Sequence, residues 1–308
     1  MYRLGLTAFV FPGQGSQCVG MGKDLSETFP SARTLYDQAG RILGYDLADV
    51  CFYGPEATLR ETRYTQPALY VHSVVVSRLL VEKGMAGEAA AGHSLGEFPA
   101  LAHAGAYTFE EGLRLVQARA RLMQEAADNN PGSMAAIIGL EAEDVRDLCE
   151  EAGRSGMVQP ANYNAPGQIV ISGTRSGVEG AIRLAGERGA KRAIPLAVSG
   201  AFHSPLMQPA AEAFGKILSG VRIGHAAVPV YANVTALPIQ NPEEIREELK
   251  RQLTHPVRWI ETVEKMVQDG VTRFIEVGPG KVLGGLIKRI FPEAEILSCG
   301  TVRDLERF

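Results

Sequence analysis

Glu88-Ala89-Ala90-Ala91-Gly92-His93-Ser94-Leu95-Gly96-Glu97-Phe98-Pro99-Ala100-Leu101-Ala102-His103-Ala104 is the stretch that decides how the chain is read. Glu88 to His93 is a short, mostly apolar run ending at a turn signal, which predicts a buried strand. Leu95 to about Ala104 predicts a helix. Between them lies G-x-S-x-G, whose glycines allow a tight turn and close backbone approach. Strand, turn and helix in this order form the context of a nucleophile elbow. The helix start also brings N–H groups and a positive dipole end to the serine oxygen. Ser94 is therefore the candidate nucleophile and the Leu95 N–H a candidate oxyanion-hole donor. The competing reading is a serine N-cap in an ordinary strand-to-helix turn, and the flanking pattern favours the elbow.

Upstream, Thr7–Phe11 is a short apolar run ending in Pro12-Gly13, which predicts another buried strand. A loop follows to Gln17, then helical patterns to about Lys83. Downstream, Phe109–Asp128 predicts a long amphipathic helix. The texture changes near Pro131. Met134–Ile138, Met157–Tyr163, Gln168–Ser172 and Arg192–Val198 read as strands, with helices at Glu141–Ala152 and Ser176–Arg188. That order is βαββαβ, the ferredoxin-like unit. After Ser199 the chain returns to α/β alternation. It has helices at Pro205–Leu218, Ile260–Asp269 and Val282–Ile290, and strands at Val228–Asn233 and Arg273–Val277. The expected fold is α/β: a hydrolase-like large subdomain with a mostly parallel sheet (residues 1–130 and 199–308) and an inserted ferredoxin-like small subdomain (131–198).

Composition narrows the function classes. Of 308 residues, 45% are apolar, as a packed globular chain requires, and the net charge of -4 argues against nucleic-acid binding. Cys18, Cys51, Cys149 and Cys299 lack metal-ligand spacing, which fits reduced thiols of a cytoplasmic protein. The apolar run Leu4–Phe11 lacks the basic flank and cleavage site of a secretory signal. No apolar stretch approaches the roughly 20 residues that span a bilayer.

A nucleophilic serine needs a base. Six histidines are available: His72, His93, His103, His203, His225 and His255. His203, in the loop Ser199-Gly200-Ala201-Phe202-His203-Ser204-Pro205, is the best placed, because loops between strands and helices line the crevice of an α/β sheet. In the helix Phe109–Asp128, plotted at 100° per residue, Leu115, Val116, Leu122, Met123 and Ala126 share one face. Arg119 falls in the middle of that face, with Leu115 and Met123 a turn away on either side. A core-facing arginine requires an anion. An internal carboxylate or a bound ligand supplies it, and in the second case the guanidinium is a carboxylate clamp with Met123 beside it.

The chain resembles the malonyl-CoA:acyl-carrier-protein transacylases and related polyketide-synthase acyltransferase domains. The matching segments are Phe9-Val10-Phe11-Pro12-Gly13-Gln14-Gly15-Ser16-Gln17, Gly92-His93-Ser94-Leu95-Gly96-Glu97-Phe98, Gln117-Ala118-Arg119, Asn162-Tyr163-Asn164-Ala165-Pro166-Gly167-Gln168, Gly200-Ala201-Phe202-His203-Ser204 and Glu276-Val277-Gly278-Pro279-Gly280. They run in order over nearly the whole chain. The resemblance implies a Ser94–His203 pair and an oxyanion hole of Gln14 with the Leu95 N–H. It implies that Arg119 binds the free malonyl carboxylate, that Gln252 orients the histidine and that Asn162 lies near the site. Leu95 after the serine and Gly-Ala-Phe-His at 200–203 resemble malonyl-selective members, with Phe202 filling space that an α-methyl group needs. Phe98 departs from the tyrosine of many relatives. The implied substrates are malonyl-CoA and an acyl carrier protein, in fatty-acid synthesis or for a polyketide synthase in trans, with no cofactor, metal, nucleic acid or membrane.

Two other classes compete. A serine thioesterase or esterase would share the elbow and use a histidine near the C-terminus, such as His255; Arg119 argues against it. A nucleotide-binding module would use Gly13–Gly15, but Cys18 stands where G-x-G-x-x-G needs its third glycine.

Overall fold

The computed structural model describes residues 5–198 and 200–308. Leu4, of the N-terminal run, and Ser199, at the expected subdomain boundary, lie outside them. The strands are β1 (Leu6–Phe11), β2 (Ala89–Gly92), β3 (Ser133–Ile138), β4 (Val158–Ala165), β5 (Gln168–Gly173), β6 (Arg192–Pro195), β7 (Val230–Tyr231), β8 (Pro238–Ile239), β9 (Val271–Val277) and β10 (Glu295–Cys299). They form two sheets. One has the order β10-β9-β1-β2-β7-β8 and is parallel except for β8. The other, β4-β5-β3-β6, is antiparallel throughout and has the strand order of a split βαβ unit.

Side-chain alternation explains why β1 is central. Phe9 and Phe11 enter the main core, while Ala8 and Val10 point into a second core on the opposite face. Both faces are covered, as in parallel sheets with crossover helices. The smaller sheet packs its own core, including Ile137, Val145, Leu148, Ile169 and Ile171, beneath the helices Ala142–Ala152 and Arg175–Glu187.

The register of the large sheet creates the crevice. Phe11 pairs with Gly92, so the loop after β1 and the elbow after β2 open side by side at the carboxyl ends of the strands. The smaller sheet closes one wall: Tyr163 N–H donates to Val257 O and Val257 N–H to Ala161 O, both at 2.9 Å.

Several elements differ from expectation. The strand expected over Val228–Asn233 pairs only at Val230–Tyr231, because the chain leaves the ladder where Asn233 turns to the elbow. The strand expected over Arg192–Val198 stops at Pro195. The helix expected from Leu95 opens with a 3₁₀ turn, Ser94–Gly96, before Glu97–His103. β8, β10 and the helix Pro242–Arg251 are not among the expected elements. β8 has only two residues, whereas the helix does carry start and stop signals, an Asn241 N-cap followed by proline and glutamates and a basic last turn.

Candidate active site

The elbow is held by steric fit and by one side chain. Ser94 has φ 51°, a left-handed conformation rare outside glycine. A Cβ on Gly92 would lie 1.9 Å from Gly96 C, and one on Gly96 would lie 2.0 Å from Phe11 O, so both motif glycines are obligatory. Asn233 is fully buried; its Oδ1 accepts from the Ser94 N–H at 2.7 Å and its Nδ2 donates to Gly92 O at 2.7 Å. No sequence signal marked Asn233.

Ser94 Oγ lies 2.8 Å from His203 Nε2. The His203 backbone is also left-handed, with φ 58°, and its carbonyl accepts from Gln159 Nε2 of β4 at 3.0 Å. His203 Nδ1 faces two main-chain carbonyls, Gln252 O at 2.9 Å and His255 O at 3.2 Å. Two acceptors on Nδ1 require the proton there, which leaves Nε2 as an acceptor for the serine hydroxyl. Burial, with Arg119 adding to it, lowers the histidine to about 3, so the ring is neutral near pH 7.

Three of the other histidines are engaged elsewhere. His93 Nε2 meets Asn164 Oδ1 at 2.7 Å and the ring lies edge-on to Trp259. His255 Nδ1 meets Arg251 O at 2.9 Å. His103 Nδ1 meets Ser77 Oγ at 2.8 Å.

Arg119 is 1% exposed, on the helix Phe109–Asn129. That helix starts in a capping box, with Thr108 and Glu111 satisfying each other's backbone N–H groups. The hydrogen-bond partners of Arg119 are neutral: Gln66 Oε1 at 2.7 Å, Gln252 Oε1 at 3.0 Å and Ser94 Oγ at 3.1 Å. Burial lowers its pKa to about 10, which leaves it cationic. Amide dipoles hold the guanidinium without cancelling its charge, so it stands ready for an anion. Gln66 and the Glu97 carboxyl behind Gln252 were not singled out from the sequence.

A cavity of about 120 Å³ gathers the expected residues: Gln14, Ser94, Leu95, Arg119, Met123, Asn162, Phe202 and His203 all line it. Gln252 lies behind this lining. It meets His203 through its main-chain carbonyl, while its side chain serves Arg119 and Ser94. Gln14 is exposed at the mouth, where a second, larger cavity begins. Among the described residues, no three His, Cys, Asp or Glu side chains are grouped to hold a metal ion.

A serine bonded to a neutral histidine at an elbow, beside a buried cation, defines a serine acyl-transfer site. Residues 8–307 match the family model described as acyl transferase domain, and the chain belongs to this family, among its malonyl CoA-acyl carrier protein transacylases. The relative so named from Bacillus subtilis (strain 168) is 48% identical over 284 residues, 92% of this chain and 90% of the relative. That from Escherichia coli (strain K12) is 45% identical, covering 92% of both chains. A solved structure of PlMCAT with AntF, described as a type II PKS acyl-carrier protein in complex with its malonyl-transacylase, superposes with a TM-score of 0.95. It is 44% identical, with 98% of each chain covered.

Proposed function

We propose that this protein transfers the malonyl group of malonyl-CoA to the phosphopantetheine thiol of an acyl carrier protein, through an ester on Ser94, in the cytoplasm and for fatty-acid synthesis. The observation that carries this reading is the Arg119 guanidinium, buried, hydrogen-bonded among the described residues only to neutral groups and 3.1 Å from Ser94 Oγ. In a malonyl ester the free carboxylate is three bonds from that oxygen, and a guanidinium matches it bidentately. We assign residues 131–198 to a small subdomain whose β4 completes one wall of the site, and 1–130 with 199–308 to the catalytic subdomain.

The cycle uses the chain's own groups. His203 Nε2 takes the Ser94 proton as Oγ attacks the thioester carbonyl. The imidazolium is stabilised through Nδ1–H by the Gln252 and His255 carbonyls, which replace the carboxylate of a hydrolase triad. The Leu95 N–H and Gln14 receive the oxyanion. The thiolate of coenzyme A leaves with the proton from His203. The carrier thiol then gives its proton to His203, attacks the ester and regenerates Ser94. Met123, Asn162 and Phe202 shape the acyl pocket. No cofactor takes part.

Intact-protein mass spectrometry after mixing with malonyl-CoA tests the assignment. The expected result is one malonyl adduct, absent in Ser94→Ala, that persists in water and is discharged by a holo carrier protein. An adduct on folded Ser94→Ala, or rapid loss in water without a thiol, would overturn it; the second result would favour a thioesterase.

A further inference from the structure

Gln252 is fully buried and sits where every part of the site meets. Its Nε2 donates to Ser94 O at 3.0 Å and to Glu97 Oε2. Its Oε1 accepts from Arg119 Nη2 at 3.0 Å. The two ends of an amide are nearly identical in shape, so only the surrounding donors and acceptors decide which end points where.

Glu97 is fully buried, and among the described residues its only side-chain partner is Gln252, with Oε1 left unpartnered. An acidic side chain in this position is costly. We propose that Glu97 is a positioning residue for acyl selection: together with the Ser94 carbonyl, it holds the Gln252 amide so that the oxygen, not the nitrogen, faces Arg119. This rests on the reading of Arg119 as the malonyl clamp. With the amide reversed, N–H groups of Gln252 and Arg119 would face each other. The guanidinium would lose an acceptor and turn from the acyl pocket. Malonyl transfer would suffer, while acetyl, with no carboxylate to place, would be spared.

The role needs an acceptor at one place rather than a charge. Burial, reinforced by Glu248, holds the Glu97 carboxyl well above the usual carboxylate range, so a neutral isostere is expected to serve. Glu97→Gln offers an oxygen within reach of Gln252 Nε2, and the Ser94 carbonyl, which only accepts, keeps that end of Gln252 an N–H so that the oxygen end of the new amide faces it. Glu97→Asp withdraws it by one methylene and keeps the acid.

The experiment compares the malonyl-CoA to acetyl-CoA ratio of kcat/KM in wild type and both variants, with urea unfolding as the control for folding. Glu97→Asp is expected to lower the ratio about tenfold, the scale of one hydrogen bond to a charged group. Glu97→Gln is expected to hold it within about twofold, since its hydrogen bond survives. Where Glu97→Asp does not fold, Glu97→Ala takes its place. A lowered ratio in Glu97→Gln, or an unchanged ratio in the acceptor-withdrawn variant, overturns the proposal. So does a parallel fall of both rates, which would mark a structural side chain. A wild type that forms no malonyl-Ser94 ester would instead overturn the transfer reading itself.

Discussion

Asn233 holds Ser94 in its left-handed backbone conformation, accepting the Ser94 N–H at 2.7 Å while donating to Gly92 O on the other side of the turn at 2.7 Å. One amide thereby satisfies two main-chain groups that the sharp turn removes from regular pairing. Asn233→Ala leaves both without a partner in a buried setting. Each lost partner costs about 1–3 kcal/mol, so urea unfolding should show a stability loss of about 2–6 kcal/mol. Ser94 acylation should slow more than about tenfold, because φ 51° is no longer supported. An unchanged urea midpoint would show that steric fit alone holds the elbow.

Arg119→Ala should shift preference from malonyl towards acetyl. Malonyl loses a charge-assisted contact worth about 1.5–3 kcal/mol, or roughly 10- to 150-fold in kcat/KM, and acetyl loses nothing equivalent. Arg121, exposed and paired with Glu125, is the control. A folded Arg119→Ala protein with an unchanged ratio would make Arg119 a structural arginine.

Removal of the His203 ring should slow acylation about 10²–10⁴-fold. His93→Ala and His255→Ala should not, because those rings are engaged outside the pair. The pH dependence carries a sign as well. Burial and then Arg119 hold His203 at about 3, so the base remains unprotonated well below pH 6.5. Stopped-flow acylation between pH 8 and 4.5 should show no inflection near 6.5. In Arg119→Ala the inflection should move upward, since one of the causes that lower it is gone. A wild-type inflection near 6.5 would contradict a buried, neutral base.

His72 links acid pH to stability away from the site. It is fully buried, and burial lowers it to about 4. Between its unfolded value, near 6.5, and about 4, the unfolded chain binds a proton that the folded chain refuses. His72 therefore costs the folded state about 1.4 kcal/mol per pH unit as pH falls through that window, and costs nothing above it. His72→Leu should lose less stability than wild type between pH 7 and pH 4.5, measured by urea unfolding at each pH. A constant difference between the two proteins would show that His72 titrates alike in both states.

Ser94 and Arg119 are legible in the sequence because their signals are local. The elbow is written in five consecutive residues between a strand and a helix. Arg119 is marked by the 3.6-residue period of its own helix, which places it among Leu115 and Met123 whatever the rest of the chain does. The βαββαβ order is legible for the same reason, since each element carries its own period. The resemblance adds Gln14 and Asn162, which lie in its quoted segments, and Gln252, in Gln252-Leu253-Thr254-His255-Pro256, as expected site residues, and the cavity includes the first two in its lining.

The tertiary structure alone decides which groups meet. Among six histidines, the sequence offers a preference for His203, but the 2.8 Å approach to Ser94 spans 109 residues. Asn233 reaches Ser94 across 139 residues, and Gln252 reaches Glu97 across 155. No short-range pattern encodes such pairings, because they depend on strand register and on how two sheets pack. The main-chain carbonyls that fix the His203 tautomer belong to Gln252 and His255, and every residue has a carbonyl; only its direction in the folded chain makes it specific. Glu97 stands beside the nucleophile motif in plain sight, yet its burial and its single amide partner exist only once the helix it begins has docked beneath Gln252.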